Sequence, residues 1–100
     1  MDQATRQSIL KAFFGAHFHQ DWPYEAANPE AIISRYAAAA TPADVHSLAH
    51  AIQEYSNAFT DRELEAKLFR ELGCYYCPSA DGLDAKAWLE QVATQLLREK

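Results

Sequence analysis

At 100 residues the chain has room for a single domain, 1–100, and for one modest core, which excludes a deep two-substrate cleft. With 49% hydrophobic residues it is too apolar for a disordered chain. Lys and Arg number 9 against 14 Asp and Glu, a net charge of −5, which argues against nucleic acid or an anionic membrane as partner and suits a soluble protein, or one that meets a basic partner.

No apolar run is long enough to span a bilayer; the longest is the alanine stretch after Tyr36. Asp2-Gln3-Ala4-Thr5-Arg6 lacks the basic head and apolar core of a signal peptide, so a cytoplasmic protein is expected. Two cysteines do not make a disulfide framework.

Only 3 glycines and few β-branched residues favour helices over hairpins. In chain order, Asp2 caps a first helix over about Ala4 to Phe14, with Ile9, Leu10, Phe13 and Phe14 on one face. Gly15 and Pro23 then bracket an aromatic corner, in which Gly15 is read as the residue that frees the backbone and Pro23 as the stop. Asn28-Pro29-Glu30 starts a second helix: Asn caps, Pro occupies the first turn without losing a bond, and Glu meets the positive end of the dipole. Thr41-Pro42-Ala43-Asp44 repeats that grammar before a third helix. Its inner stripe is Val45, Leu48, Ile52, Tyr55 and Phe59, with His46, His50, Gln53 and Asn57 opposite.

Thr60-Asp61-Arg62-Glu63 is a capping box, followed by Leu64, Leu68 and Leu72, with Gly73 as the residue past the helix end. Cys74 to Leu83 has no helical pattern and contains the turn pair Asp81-Gly82. Asp84 caps the last helix, whose inner face carries Ala85, Trp88, Leu89, Val92 and Leu96. The expected fold is all-α, a single small domain of about five short helices with two aromatic-rich structured loops. Phe14, Trp22, Leu48, Ile52, Leu68, Trp88 and Leu89 are its predicted core.

Two constellations could carry metal chemistry. Cys74-x-x-Cys77 could hold zinc with His46 and His50, which lie one helical turn apart. That ligand order is unusual, and the His face points away from the inner stripe. The motif also follows a helix end, where a redox pair would open a helix. His17-x-His19-x-Asp21 resembles part of a hydrolase metal site, but such ligands come from strand ends and need further partners. The bland alternatives, half-buried thiols and polar side chains bonding backbone at a corner, account for both. No Gly-rich phosphate loop and no activated serine context is present. The expectation is no catalytic residue, no metal and no cofactor.

Charge distribution is more informative. No Lys or Arg lies between Lys11 and Arg35, or between Arg70 and Lys86, while Asp21, Glu25, Glu30, Glu71, Asp81 and Asp84 do. These intervals contain both irregular loops with Trp22, Tyr24, Tyr75 and Tyr76. Rings beside unpaired acids suit a binder of a basic protein, with rings as anchors and acids steering the encounter. Asp21, Tyr24, Glu25, Tyr76 and Asp81 are the candidate partner-binding residues.

Phe13-Phe14-Gly15-Ala16-His17-Phe18-His19-Gln20-Asp21-Trp22, then Leu72-Gly73-Cys74-Tyr75-Tyr76-Cys77-Pro78 with Asp81-Gly82, then Trp88-Leu89, resemble the small immunity proteins of contact-dependent growth inhibition systems. The resemblance runs from Phe13 to Leu89; Cys77 is a departure from the pattern. It implies a cytoplasmic helical protein that neutralises, without catalysis, the C-terminal toxin domain of a neighbouring cell's surface effector. Such toxins are often nucleases, including ribonucleases, and a basic cleft would complement the acidic loops. The expected assembly is a monomer bound 1:1. The rival readings are an adaptor for another basic protein and a small metal-dependent enzyme using His17, His19, Asp21 or the cysteines.

Overall fold

Four helix starts are fixed locally by side chains that accept backbone N–H groups the helix leaves unpaired. Asp2 accepts from Thr5 at 2.7 Å, Asn28 from Ala31 at 2.9 Å, and Thr41 from Asp44 at 3.1 Å. Thr60 and Glu63 form the full reciprocal box, with bonds of 3.2 and 2.9 Å.

The structure, a computed structural model, describes residues 2–100. Six α-helices follow: α1 (Gln3–His17), α2 (Trp22–Glu25), α3 (Pro29–Ala39), α4 (Pro42–Ala58), α5 (Asp61–Arg70) and α6 (Ala85–Glu99). A single 3-10 turn, Pro78–Asp81, precedes α6, and no strand occurs among the described residues. The fold is all-α as expected. The extra helix is the one turn of α2, which falls inside the aromatic corner.

Helix α6 is the hub, packed chiefly on α4 and also on α3 and α5, while α1 packs on α4 and reaches Trp88 of α6 through Phe14. The Cα radius of gyration, 12.3 Å, is that of one compact domain of this length, roughly 13 Å. Leu10, Phe14, Phe18, Ile33, Leu48, Ile52, Leu64, Leu68, Leu72, Leu89 and Leu96 are all but sealed from solvent. Trp88 joins them in the core, but Trp22 is only half-buried, a correction to its predicted place there.

Four local expectations are also corrected. Helix α1 does not end at Phe14: it runs through Gly15 to His17, and Phe18 N–H closes it on Phe14 O at 2.8 Å. Gly15 has an ordinary helical backbone, because the turn is made later, at Phe18 to Asp21. Pro23 sits in the first turn of α2, where its missing N–H costs nothing. Asp84 takes the N-cap position of α6 without a side-chain bond. Instead the N–H of Lys86 donates to Oδ1 of Asp61, from the start of α5, at 2.9 Å.

Gly73 fulfils its expected role with φ of 70°, the left-handed region glycine enters freely. Around it Leu72 N–H bonds Lys67 O at 3.1 Å and Cys74 N–H bonds Leu68 O at 2.9 Å, closing α5 with a widened turn.

Candidate interaction surface

Phe18 and Tyr76 explain why two stretches more than fifty residues apart form one surface. Tyr75 N–H donates to Phe18 O at 2.8 Å, tying the second loop to the first. Phe18 meets Trp88 edge-on, with centroids 5.5 Å apart, and Tyr76 lies 4.8 Å from Trp88 and 5.7 Å from Trp22. These tilted and T-shaped contacts are the favoured arrangements of aromatic pairs. The dense aromatics of the corner are therefore the glue between the loops, and the polar residues of both loops are carried at their edges.

The five candidate residues take different positions. Tyr24 is 90% exposed, the most exposed large apolar side chain described. Asp21 is exposed, and its carboxylate takes no hydrogen bond among the described residues, although its N–H donates to His19 Nδ1 at 3.1 Å. Glu25 is exposed but not unpaired, contrary to the charge-distribution argument. His19 Nε2 lies 2.6 Å from its Oε2, and Arg35 donates to its carbonyl at 2.6 Å, with a second guanidinium nitrogen 3.9 Å from Oε1. A base-free interval in sequence is not base-free in space, because α3 turns back and brings Arg35 over the corner.

Tyr76 is buried to 7% exposure. Its ring belongs to the aromatic cluster, so little of it reaches the surface. Its hydroxyl donates to Asp81 Oδ2 at 2.7 Å. Burial, then the hydrogen bond to Asp81 and its charge, push the phenol far above its usual range, so it remains a donor that orients the exposed Asp81 carboxylate.

The histidines of the His17-x-His19-x-Asp21 motif diverge. His17 stacks on Tyr36 with centroids 5.4 Å apart, whereas His19 is taken up by Glu25 and the Asp21 N–H. Because Nδ1 of His19 accepts, its ring carries the proton on Nε2. Cys74 is buried and its Sγ donates to Tyr76 O at 3.6 Å; burial pushes its thiol up to about 12. Cys77 is exposed, with Ser79 Oγ at 3.1 Å. Among the described residues no three His, Cys, Asp or Glu side chains are placed together as a metal would need.

One exposed feature escaped the sequence reading. Phe69 and Tyr75, 55% and 48% exposed, meet edge-on with centroids 5.0 Å apart. Phe69 lies one position off the Leu64, Leu68, Leu72 stripe, and a large ring off the buried stripe is the signal that would have found it.

No helix among the described residues is long and apolar enough to cross a membrane. No curated protein and no solved structure matches the chain. A family model described as CdiI immunity protein matches residues 6–96, which includes both loops, α2 to α5 and most of α1 and α6. The immunity proteins of contact-dependent growth inhibition bind a cognate toxin, and the chain belongs to this CdiI immunity protein family.

Proposed function

We propose that the chain neutralises its cognate toxin domain by stoichiometric binding through the end of the bundle where the two loops meet. The toxin is a basic nuclease, its cleft is occluded, and the complex forms 1:1 in the cytoplasm without catalysis by the immunity protein. One observation carries this reading: the Tyr75–Phe18 backbone bond and the Trp22–Tyr76 ring contact join the two acidic loops into one exposed edge bearing Asp21, Tyr24, Glu25 and Asp81. Lys and Arg in a nucleic-acid cleft exchange phosphate for carboxylate when such an edge docks, and the matched charges speed the encounter. Tyr24 supplies the projecting ring, while Tyr76 acts from within by holding Asp81.

The test is the toxin domain encoded by the reading frame immediately upstream. Titrating the chain into that domain should abolish cleavage of RNA or DNA at one equivalent. Tyr24→Ala should speed dissociation, and Asp21→Asn should slow association by an amount that shrinks with salt. A stable complex that still cleaves, or full affinity in Asp21→Asn, Tyr24→Ala, Glu25→Gln and Asp81→Asn alike, would overturn the proposed mode. An adaptor role would show instead as tight binding to a basic protein without protection from any toxin.

A further inference from the structure

The exposed Phe69–Tyr75 pair borders a groove of about 170 Å³, walled also by Leu68, Cys77, Pro78 and Glu65, with the buried Cys74 and Tyr76 at its floor. This is well below the roughly 300–1,000 Å³ of a small-molecule pocket, and it is the size of a single protruding side chain. Its walls are apolar apart from one rim carboxylate, Glu65, which takes no hydrogen bond or ion pair among the described residues. Paired, exposed aromatics over a half-closed apolar groove are costly to leave in water and typical of an interface centre. The groove is continuous with the proposed surface, since Tyr75 is the residue whose N–H is bonded to Phe18 O. In the consecutive pair Tyr75-Tyr76, the second ring faces the core and the first faces out.

We infer that this groove is the apolar anchor site for the toxin domain: it takes one aliphatic side chain of the toxin between Phe69, Tyr75 and Pro78, next to a Lys or Arg that meets Glu65. The inference rests on the toxin-binding reading and adds a second patch to it. Tyr75 and Phe69 then set the lifetime of the complex, and Glu65 contributes to encounter.

Cys77 is a built-in reporter, because it is exposed, lines the groove and has no other exposed thiol for company: Cys74 is buried with its thiol pushed up to about 12. The experiment alkylates the wild-type chain with iodoacetamide, free and in complex with the upstream-encoded toxin domain, and locates the label on this chain by mass spectrometry. Binding should slow Cys77 labelling about tenfold or more, as burial in an interface core implies. In parallel, Tyr75→Ala and Phe69→Ala should each weaken binding about tenfold or more with unchanged thermal midpoints, Tyr75→Phe should retain affinity, and Glu65→Gln should slow association at low salt only. A complex that forms while Cys77 reacts at its free rate overturns the anchor site and leaves the loop-edge reading standing. Alanine variants that lose thermal stability and expose Cys74, with Cys77 unprotected in the wild-type complex, identify the ring pair as a lid on the core and overturn it equally. Absence of any complex overturns both.

Discussion

The carboxylate of Asp61, the first residue of α5, accepts the N–H of Lys86 in the first turn of α6 at 2.9 Å. The same lysine's Nζ donates to Ser56 O near the end of α4 at 2.7 Å. One residue thus joins three helix ends, and α6 is capped by a neighbour rather than by its own Asp84. Asp61→Ala should destabilise the fold by about 1 kcal/mol, the usual worth of a cap, while Asp84→Ala should cost well under that. Urea unfolding of the two variants checks this. A larger loss in Asp84→Ala would mean that the local cap governs.

Gly15 is exposed within α1, and a Cβ built on it meets no atom within 4 Å. With helical geometry and free space, Gly15→Ala should stabilise the protein by about 0.5–1 kcal/mol, through helix propensity and reduced freedom of the unfolded chain. A lower thermal midpoint would show that the corner needs the glycine after all.

Trp88 is 2% exposed and touches Phe14, Phe18 and Tyr76, so it supports both loops at once. Trp88→Ala should cost about 3–5 kcal/mol, a large share of the stability of a domain this size. Calorimetry that finds the variant melting within a degree or two of wild type would contradict that role.

Ser56 is buried, and its hydroxyl has no hydrogen-bond partner among the described residues. An unsatisfied buried hydroxyl costs about 1–3 kcal/mol of desolvation, so Ser56→Ala should be neutral or stabilising, even though a buried serine usually reads as a needed polar contact. Chemical denaturation showing a loss above about 1 kcal/mol would imply a bonded hydroxyl.

His17 introduces a pH dependence. Burial lowers its pKa below 6.5; the charge of Glu25 opposes the shift, and Arg35 and His19 reinforce it. The folded state therefore favours the neutral ring stacked on Tyr36. Its stabilising contribution is complete above the unfolded value of 6.5 and is lost as pH falls from there through the lower folded pKa. Unfolding midpoints at about pH 7.5 and about pH 5.5 should differ less in His17→Phe than in wild type. The wild-type ring protons should titrate below 6.5 by NMR; a midpoint above that value would reverse the sign.

The caps and stripes were legible because they are local. Asn28, Thr41, Thr60 with Glu63, and Gly73 act within a few residues of themselves, and the leucine and aromatic spacing of α4, α5 and α6 needs only the helical repeat. The all-α class and the family resemblance followed from the same short-range text. What the linear order could not hold was which distant groups meet. Arg35 returns over Glu25 and removes an apparently free acid, and Asp61 caps a helix twenty-five positions away. Tyr76 turns inward to Trp88 while its neighbour Tyr75 turns outward to Phe69. In a loop with no periodicity, nothing but the packing of Phe18 and Trp88 decides which of two adjacent tyrosines is core and which is surface. That choice, made by burial of rings rather than by any motif, sets which ring the protein exposes at its surface.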